Sequence, residues 1–104
     1  MQEEINRLNR WAKGDYTEEE IDEFDNTFPT EKTCLMAITF IHFFNELGGQ
    51  FKWAFYNGAG ELLISYKVNN IELEINIENE GVVSFNSETE MHRMFIINNI
   101  HIYP

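Results

Sequence analysis

The sequence predicts an α+β fold: a four-stranded antiparallel meander over about 51–86 packed on a buried helix over about 31–47. Three observations carry this reading. Residues 51–86 alternate apolar and polar with the period of β-strands. Short segments rich in Asn and Gly separate the alternating runs. The most apolar stretch, Cys34 to Phe44, comes just before them and has helical length. Two N-terminal helices, a short C-terminal helix and an extended tail complete the expected single domain over 1–104.

The first helix is expected over about 2–13, where Ile5, Leu8, Trp11 and Ala12 recur at helical spacing and Gly14 supplies a stop. A second begins after Thr17, which with Glu20 makes a capping-box pair; Glu18, Glu19 and Glu20 suit the positive end of the helix dipole. Ile21 and Phe24 are its expected apolar contacts, and Pro29 ends the segment. Thr30 reads as the N-cap of the third helix and Gly48-Gly49 as its stop. Leu35, Met36, Ala37, Ile38, Phe40, Ile41, Phe43 and Phe44 make that helix apolar nearly all round, so it is expected to be buried on more than one side.

In the first strand Phe51, Trp53 and Phe55 are assigned inward, with Lys52, Ala54 and Tyr56 outward. The second strand turns Leu62, Ile64, Tyr66 and Val68 inward; the third turns Ile71, Leu73, Ile75 and Ile77 inward; the fourth adds Val83 and Phe85. A two-residue loop at Asn69-Asn70 pairs Val68 with Ile71, Tyr66 with Leu73, and Lys67 with Glu72. A turn centred on Gly58-Ala59 pairs Phe55 with Leu62, and a three-residue loop at 79–81 pairs Ile77 with Val83. Beyond the sheet, Ser87 and Glu90 signal a helix over about 88–98, and Ile100 and Ile102 an extended tail that could protect a sheet edge.

Seven basic and eighteen acidic residues give a formal charge of −11 on 104 residues. This disfavours nucleic acid and anionic membranes as direct partners, since both are polyanions. The single cysteine, Cys34, allows no intrachain disulfide and no zinc framework, and suits a reducing compartment. The N-terminus lacks the basic region of a signal peptide, and the apolar run is shorter than the roughly 20 residues that span a bilayer. A soluble cytoplasmic protein is therefore expected.

Chemistry-bearing motifs are sparse. Gly58-Ala59-Gly60 lacks the setting of a nucleotide site. His42, His92 and His101 have no partner at metal-ligand spacing, and His42 reads as a core histidine. Cys34 and His42 lie about two helical turns apart, too far for a nucleophile pair. Asp15, Glu18, Glu19, Asp22 and Asp25 lack the loop pattern of a calcium site. Glu72 and Glu74 share a face but lack the burial that tunes catalytic carboxylates. No catalytic residue, metal or cofactor is expected.

The charge concentrates in two places. Residues 1–30 carry nine acids against three bases, and residues 61–80 carry five acids against Lys67. The expected partner-binding residues are Glu72, Glu74, Glu78, Glu61 and Tyr56 on the outer sheet face, with Glu19, Asp22 and Glu23 on the second helix. An acidic surface also serves solubility alone.

The favoured function is a stoichiometric inhibitor of a basic protein, such as a nuclease toxin or another nucleic-acid-binding effector, whose substrate demands a positive surface. Bacterial immunity proteins use this logic, and the likeness to them is one of type only: small, acidic and poor in motifs. Phage inhibitors of host defence complexes, of the anti-CRISPR or DNA-mimic kind, are the alternative; a mimic would more often carry a continuous acidic stripe. A different class is an enzyme or small-ligand binder with a pocket between the third helix and the sheet, using His42 or Tyr66. A structural module that pairs through the fourth strand or the outer face is a third.

Overall fold

A computed structural model describes residues 1–25, 27–79 and 81–87. Its elements are α1 (Gln2–Ala12), α2 (Glu18–Phe24), α3 (Glu31–Glu46), β1 (Gln50–Tyr56), β2 (Glu61–Val68), β3 (Ile71–Glu78) and β4 (Val83–Ser87). The strands form one antiparallel sheet in the order β1-β2-β3-β4. This is the α+β meander the alternation predicts. The helix and tail expected after Ser87 lie outside the described residues.

Local chemistry sets the helix ends. Thr17 caps α2 by accepting from Glu20 N–H (3.2 Å), while the Glu20 carboxylate accepts from Thr17 N–H (2.9 Å), completing the capping box. Thr30 caps α3 by accepting from Thr33 N–H at 3.1 Å. Arg10 meets Glu20 at 3.3 Å and ties α1 to α2. Burial works against the Glu20 carboxylate, but the Thr17 N–H and the Arg10 guanidinium outweigh it and lower its pKa.

The core lies between α3 and one face of the sheet. Phe40, Ile41 and Phe44 meet Ile64, Tyr66, Ile75 and Ile77, all fully excluded from solvent. The Tyr66 hydroxyl donates to the Ile41 carbonyl (2.9 Å), with the Asn45 carboxamide oxygen 3.2 Å away. Burial pushes its pKa up to about 12. On the other side α1 packs against α3 through Ile5, Leu8 and Trp11. Edge-on contacts of Trp11 with Phe24 (5.3 Å) and of Phe24 with Tyr56 (4.9 Å) join α1, α2 and β1.

The helix α3 is covered on two sides, by the sheet and by α1, as its composition predicts, and a further stripe stays open. Leu35, Thr39, His42 and Glu46 recur at helical spacing and are all exposed. They form one solvent stripe opposite the buried set Thr33, Met36, Ala37, Phe40, Ile41 and Phe44. His42 is therefore a surface residue and not a core histidine. Ile21 is also exposed, at 47%, because the seven-residue α2 lays only Phe24 against the core.

The β2–β3 and β3–β4 registers agree with expectation, including Tyr66 opposite Leu73, Lys67 opposite Glu72, and Ile77 opposite Val83. The β1–β2 register is displaced by one residue. Tyr56 pairs with Leu62 and Ala54 with Ile64. The cause is the loop: Asn57 N–H donates to the Glu61 carbonyl (3.0 Å), so the loop holds three residues, 58–60, and not the two of a turn centred on Gly58-Ala59. The Asn57 side chain accepts from Ala59 N–H (2.8 Å) and Glu61 N–H (3.2 Å), and Gly60 takes φ +89° at the left-handed position. A bulge between Phe51 and Trp53 restores Phe51 to the inner face, opposite Tyr66.

The slip inverts most of β1. Tyr56, expected outside, is buried, and its hydroxyl donates to the Thr27 carbonyl at 2.7 Å. Trp53 and Phe55, expected inside, are 43% and 53% exposed. Two substitutions test this placement by denaturant unfolding. Tyr56→Ala is expected to cost about 3–5 kcal/mol, as for other buried aromatics. Trp53→Ala is expected to cost less than about 1 kcal/mol, as for a surface change. Equal costs would contradict the assigned faces.

Candidate functional site

The outer face of the sheet is open to solvent over much of its breadth, and register assigns its side chains to rows. One row runs Phe55, Leu63, Asn76, Ser84; the next runs Trp53, Ser65, Glu74, Asn86. Lys67 faces Glu72 beyond the second row, and Glu61 faces Glu78 beyond the first. The face is thus graded across the strands. Aromatic and aliphatic side chains occupy β1 and the middle of β2, carboxylates occupy β3, and Ser84 and Asn86 occupy β4.

The carboxylates have different surroundings. Glu61 accepts from Asn76 Nδ2 (2.9 Å) and Asn57 Nδ2 (2.8 Å), and these bonds lower its pKa. They also hold it in place opposite Glu78, where two like charges would otherwise repel freely. Among the described residues, Glu72, Glu74 and Glu78 have no cation within ion-pair distance, and the directly opposed Lys67 forms no ion pair with Glu72. Trp53 and Phe55 stack on no other ring among the described residues.

The second expected cluster stands apart. Glu19, Asp22 and Glu23 are exposed on α2, and among the described residues none forms an ion pair. Glu23 alone reaches toward the sheet. It lines a cleft of about 100 Å³ together with Arg7, Trp11, Glu20, Phe24, Ala54, Phe55 and Tyr56. Phe55 therefore borders both the open sheet face and the acidic helix. In the same cleft Arg7 lies over the Trp11 ring (5.2 Å to its centroid) and donates to the Ala54 carbonyl at 3.3 Å. That bond caps one edge carbonyl of β1 and blunts the edge as a template for another strand.

The structure thus gathers Glu61, Glu72, Glu74 and Glu78 on one face and removes Tyr56 from it. Trp53 and Phe55, not expected there, take its place. The signal for them was Gly60: a glycine directly before the strand favours a three-residue loop, as at Gly81.

The Cys34 thiol is fully buried, which pushes its pKa up to about 12. Among the described residues no three His, Cys, Asp or Glu side chains are placed to hold a metal ion, and no helix is long and apolar enough to cross a membrane. The helix–sheet interface, where a small-ligand pocket was to be sought, is occupied by fully buried side chains such as Phe40, Phe44, Ile64 and Tyr66. No protein-family model, curated protein or solved structure matches this chain.

The hydrogen bonds to Glu61 make a testable claim. Asn76→Ala is expected to raise the Glu61 pKa toward the ordinary carboxylate value, as followed by carboxyl-detected NMR. Folding lowers this pKa, so the group's contribution to stability is present above the ordinary carboxylate range and is lost as pH falls through the folded value. The stability gap between the wild type and Asn76→Ala should therefore narrow in acid. An unmoved Glu61 titration would refute the assignment.

Proposed function

We propose that this protein is a small acidic inhibitor that binds a basic protein partner through the outer face of its sheet. The observation that supports this is the conjunction on one face. Two exposed aromatics, Trp53 and Phe55, sit beside Leu63 and are bordered by Glu72, Glu74 and Glu78, none of which is in an ion pair with a described residue. Aromatic anchors flanked by charge are the composition of protein-binding surfaces. Solubility alone explains the acids but not the neighbouring aromatics.

The complementary partner carries a positive, apolar-flecked patch. Nuclease toxins and nucleic-acid-binding defence complexes both carry positive patches, because they hold a polyanion. The −11 charge steers such a partner into encounter, and the aromatics supply short-range affinity once charge has brought the surfaces together. No catalytic step is assigned to this chain. Its action is occlusion of the partner's substrate surface, and its expected compartment is the cytoplasm.

The test is affinity capture from the native host at low and high salt, followed by an activity assay of the captured protein. The expected result is one basic protein whose binding weakens with salt and whose activity falls on binding. Reversing Glu72, Glu74 and Glu78 to Lys should abolish capture. Trp53→Ala should weaken it by about 2 kcal/mol, roughly thirtyfold. Binding that ignores these changes, or no basic partner at low salt, overturns the proposal.

A further inference from the structure

The row Trp53, Ser65, Glu74 has a chemistry of its own. Register places Ser65 directly between the indole and the carboxylate, one strand from each. Neighbouring strands lie about 4.8 Å apart, so the aromatic and the acid stand on the order of 10 Å apart across a small side chain. On the same face of β2, Ser65 is flanked by the larger Leu63 and Lys67. The row is therefore a shallow trough with an aromatic wall at one end and a carboxylate at the other.

Among the described residues, nothing occupies either end. Trp53 is 43% exposed and makes no ring contact among the described residues. Glu74 is half-buried and has no cation within ion-pair distance among the described residues. Lys67, the basic residue on this face nearest in register, stands opposite Glu72 and leaves Glu74 unneutralised. Ser65 adds a hydroxyl that can accept one further N–H.

We infer that this trough selects an arginine side chain of the basic partner, with the guanidinium stacked on Trp53 and its N–H groups directed at Glu74 and Ser65. This rests on the reading of the outer face as the partner-binding surface. The preference for arginine follows from shape. A guanidinium is planar, so it stacks on an indole while its in-plane N–H groups still point outward to a carboxylate. A lysine ammonium is a compact, strongly hydrated point charge. It can approach the ring or the carboxylate, but it spans the trough poorly and pays more to shed water.

The test uses two fluorescently labelled peptides, octa-arginine and octa-lysine, titrated by anisotropy at about 0.1 M salt, where long-range attraction is largely screened. The variants are Trp53→Ala, Glu74→Gln and, as a control on the separate acidic helix, Glu19→Gln. The expected result is that octa-arginine binds at least about tenfold more tightly than octa-lysine. Trp53→Ala and Glu74→Gln should each remove most of that preference, and Glu19→Gln should keep it. Equal binding of the two peptides by the wild type overturns the arginine inference and leaves the basic-partner reading standing. So does a preference that survives both Trp53→Ala and Glu74→Gln. Failure of both peptides to bind overturns the inference and the reading beneath it.

Discussion

The left-handed pair Asn69 and Asn70, at φ 52° and 65°, is the constraint on which the sheet depends. Two consecutive residues with positive φ close a two-residue hairpin whose twist matches the strands it joins. That turn admits one register, and the register puts Ile64, Tyr66 and Val68 on the same side as Leu73, Ile75 and Ile77. A slip by one residue would send this apolar set to solvent. With the central hairpin pinned, α3 has one apolar surface to cover. The free face is then fixed as the side carrying Leu63, Ser65 and Lys67 with Glu72, Glu74 and Asn76.

This explains which parts were legible in the sequence. β2 and β3 alternate without ambiguity, and their loop permits one pairing, so hydrophobic pattern and turn chemistry point the same way. β4 inherits its register from a three-residue loop with Gly81 at φ 93°. β1 is different, because both of its parities are apolar. Phe51, Trp53 and Phe55 compete with Ala54 and Tyr56, and alternation cannot choose between them. The choice falls to the loop and to tertiary contacts. Trp11 and Phe24 build an aromatic cluster that receives the Tyr56 ring, and the Thr27 carbonyl accepts its hydroxyl. Tyr56 is the better inward residue there because it fills the cluster and satisfies a backbone carbonyl at once. The bulge at 51–53 then lets Phe51 remain inside without dragging Trp53 with it.

The same logic separates α3 from its composition. Its apolar count suggested burial on more than one side, and the sheet and α1 supply two; what the count hid is the exposed stripe from Leu35 to Glu46. α1 covers only one flank through Ile5, Leu8 and Trp11. His42 was legible as a residue on the most apolar helix but not as part of its solvent stripe. Thr39, His42 and Glu46 are the polar members of that stripe at helical spacing, and the exposed Leu35 among them blurs the signal.

The acids of the molecule are held in two different ways. Where carboxylates meet the fold's own needs they are bound: Glu20 by Thr17 and Arg10, Glu61 by Asn57 and Asn76. Those bonds lower the pKa of each group and fix its position. Among the described residues, none supports Glu72 or Glu74 in this way. In water, two unit charges about 5 Å apart repel by less than about 1 kcal/mol before salt screening, so an exposed acid such as Glu72 costs the fold little. Exposed Trp53 and Phe55 likewise forgo burial that β1 could have given them in the other parity. That exposure follows from packing, because the parity that buries Tyr56 turns these two rings outward. Under the proposed inhibitor reading both have a use: carboxylates with no described cation beside them keep their field for encounter, and rings with no described stacking partner keep their faces for contact.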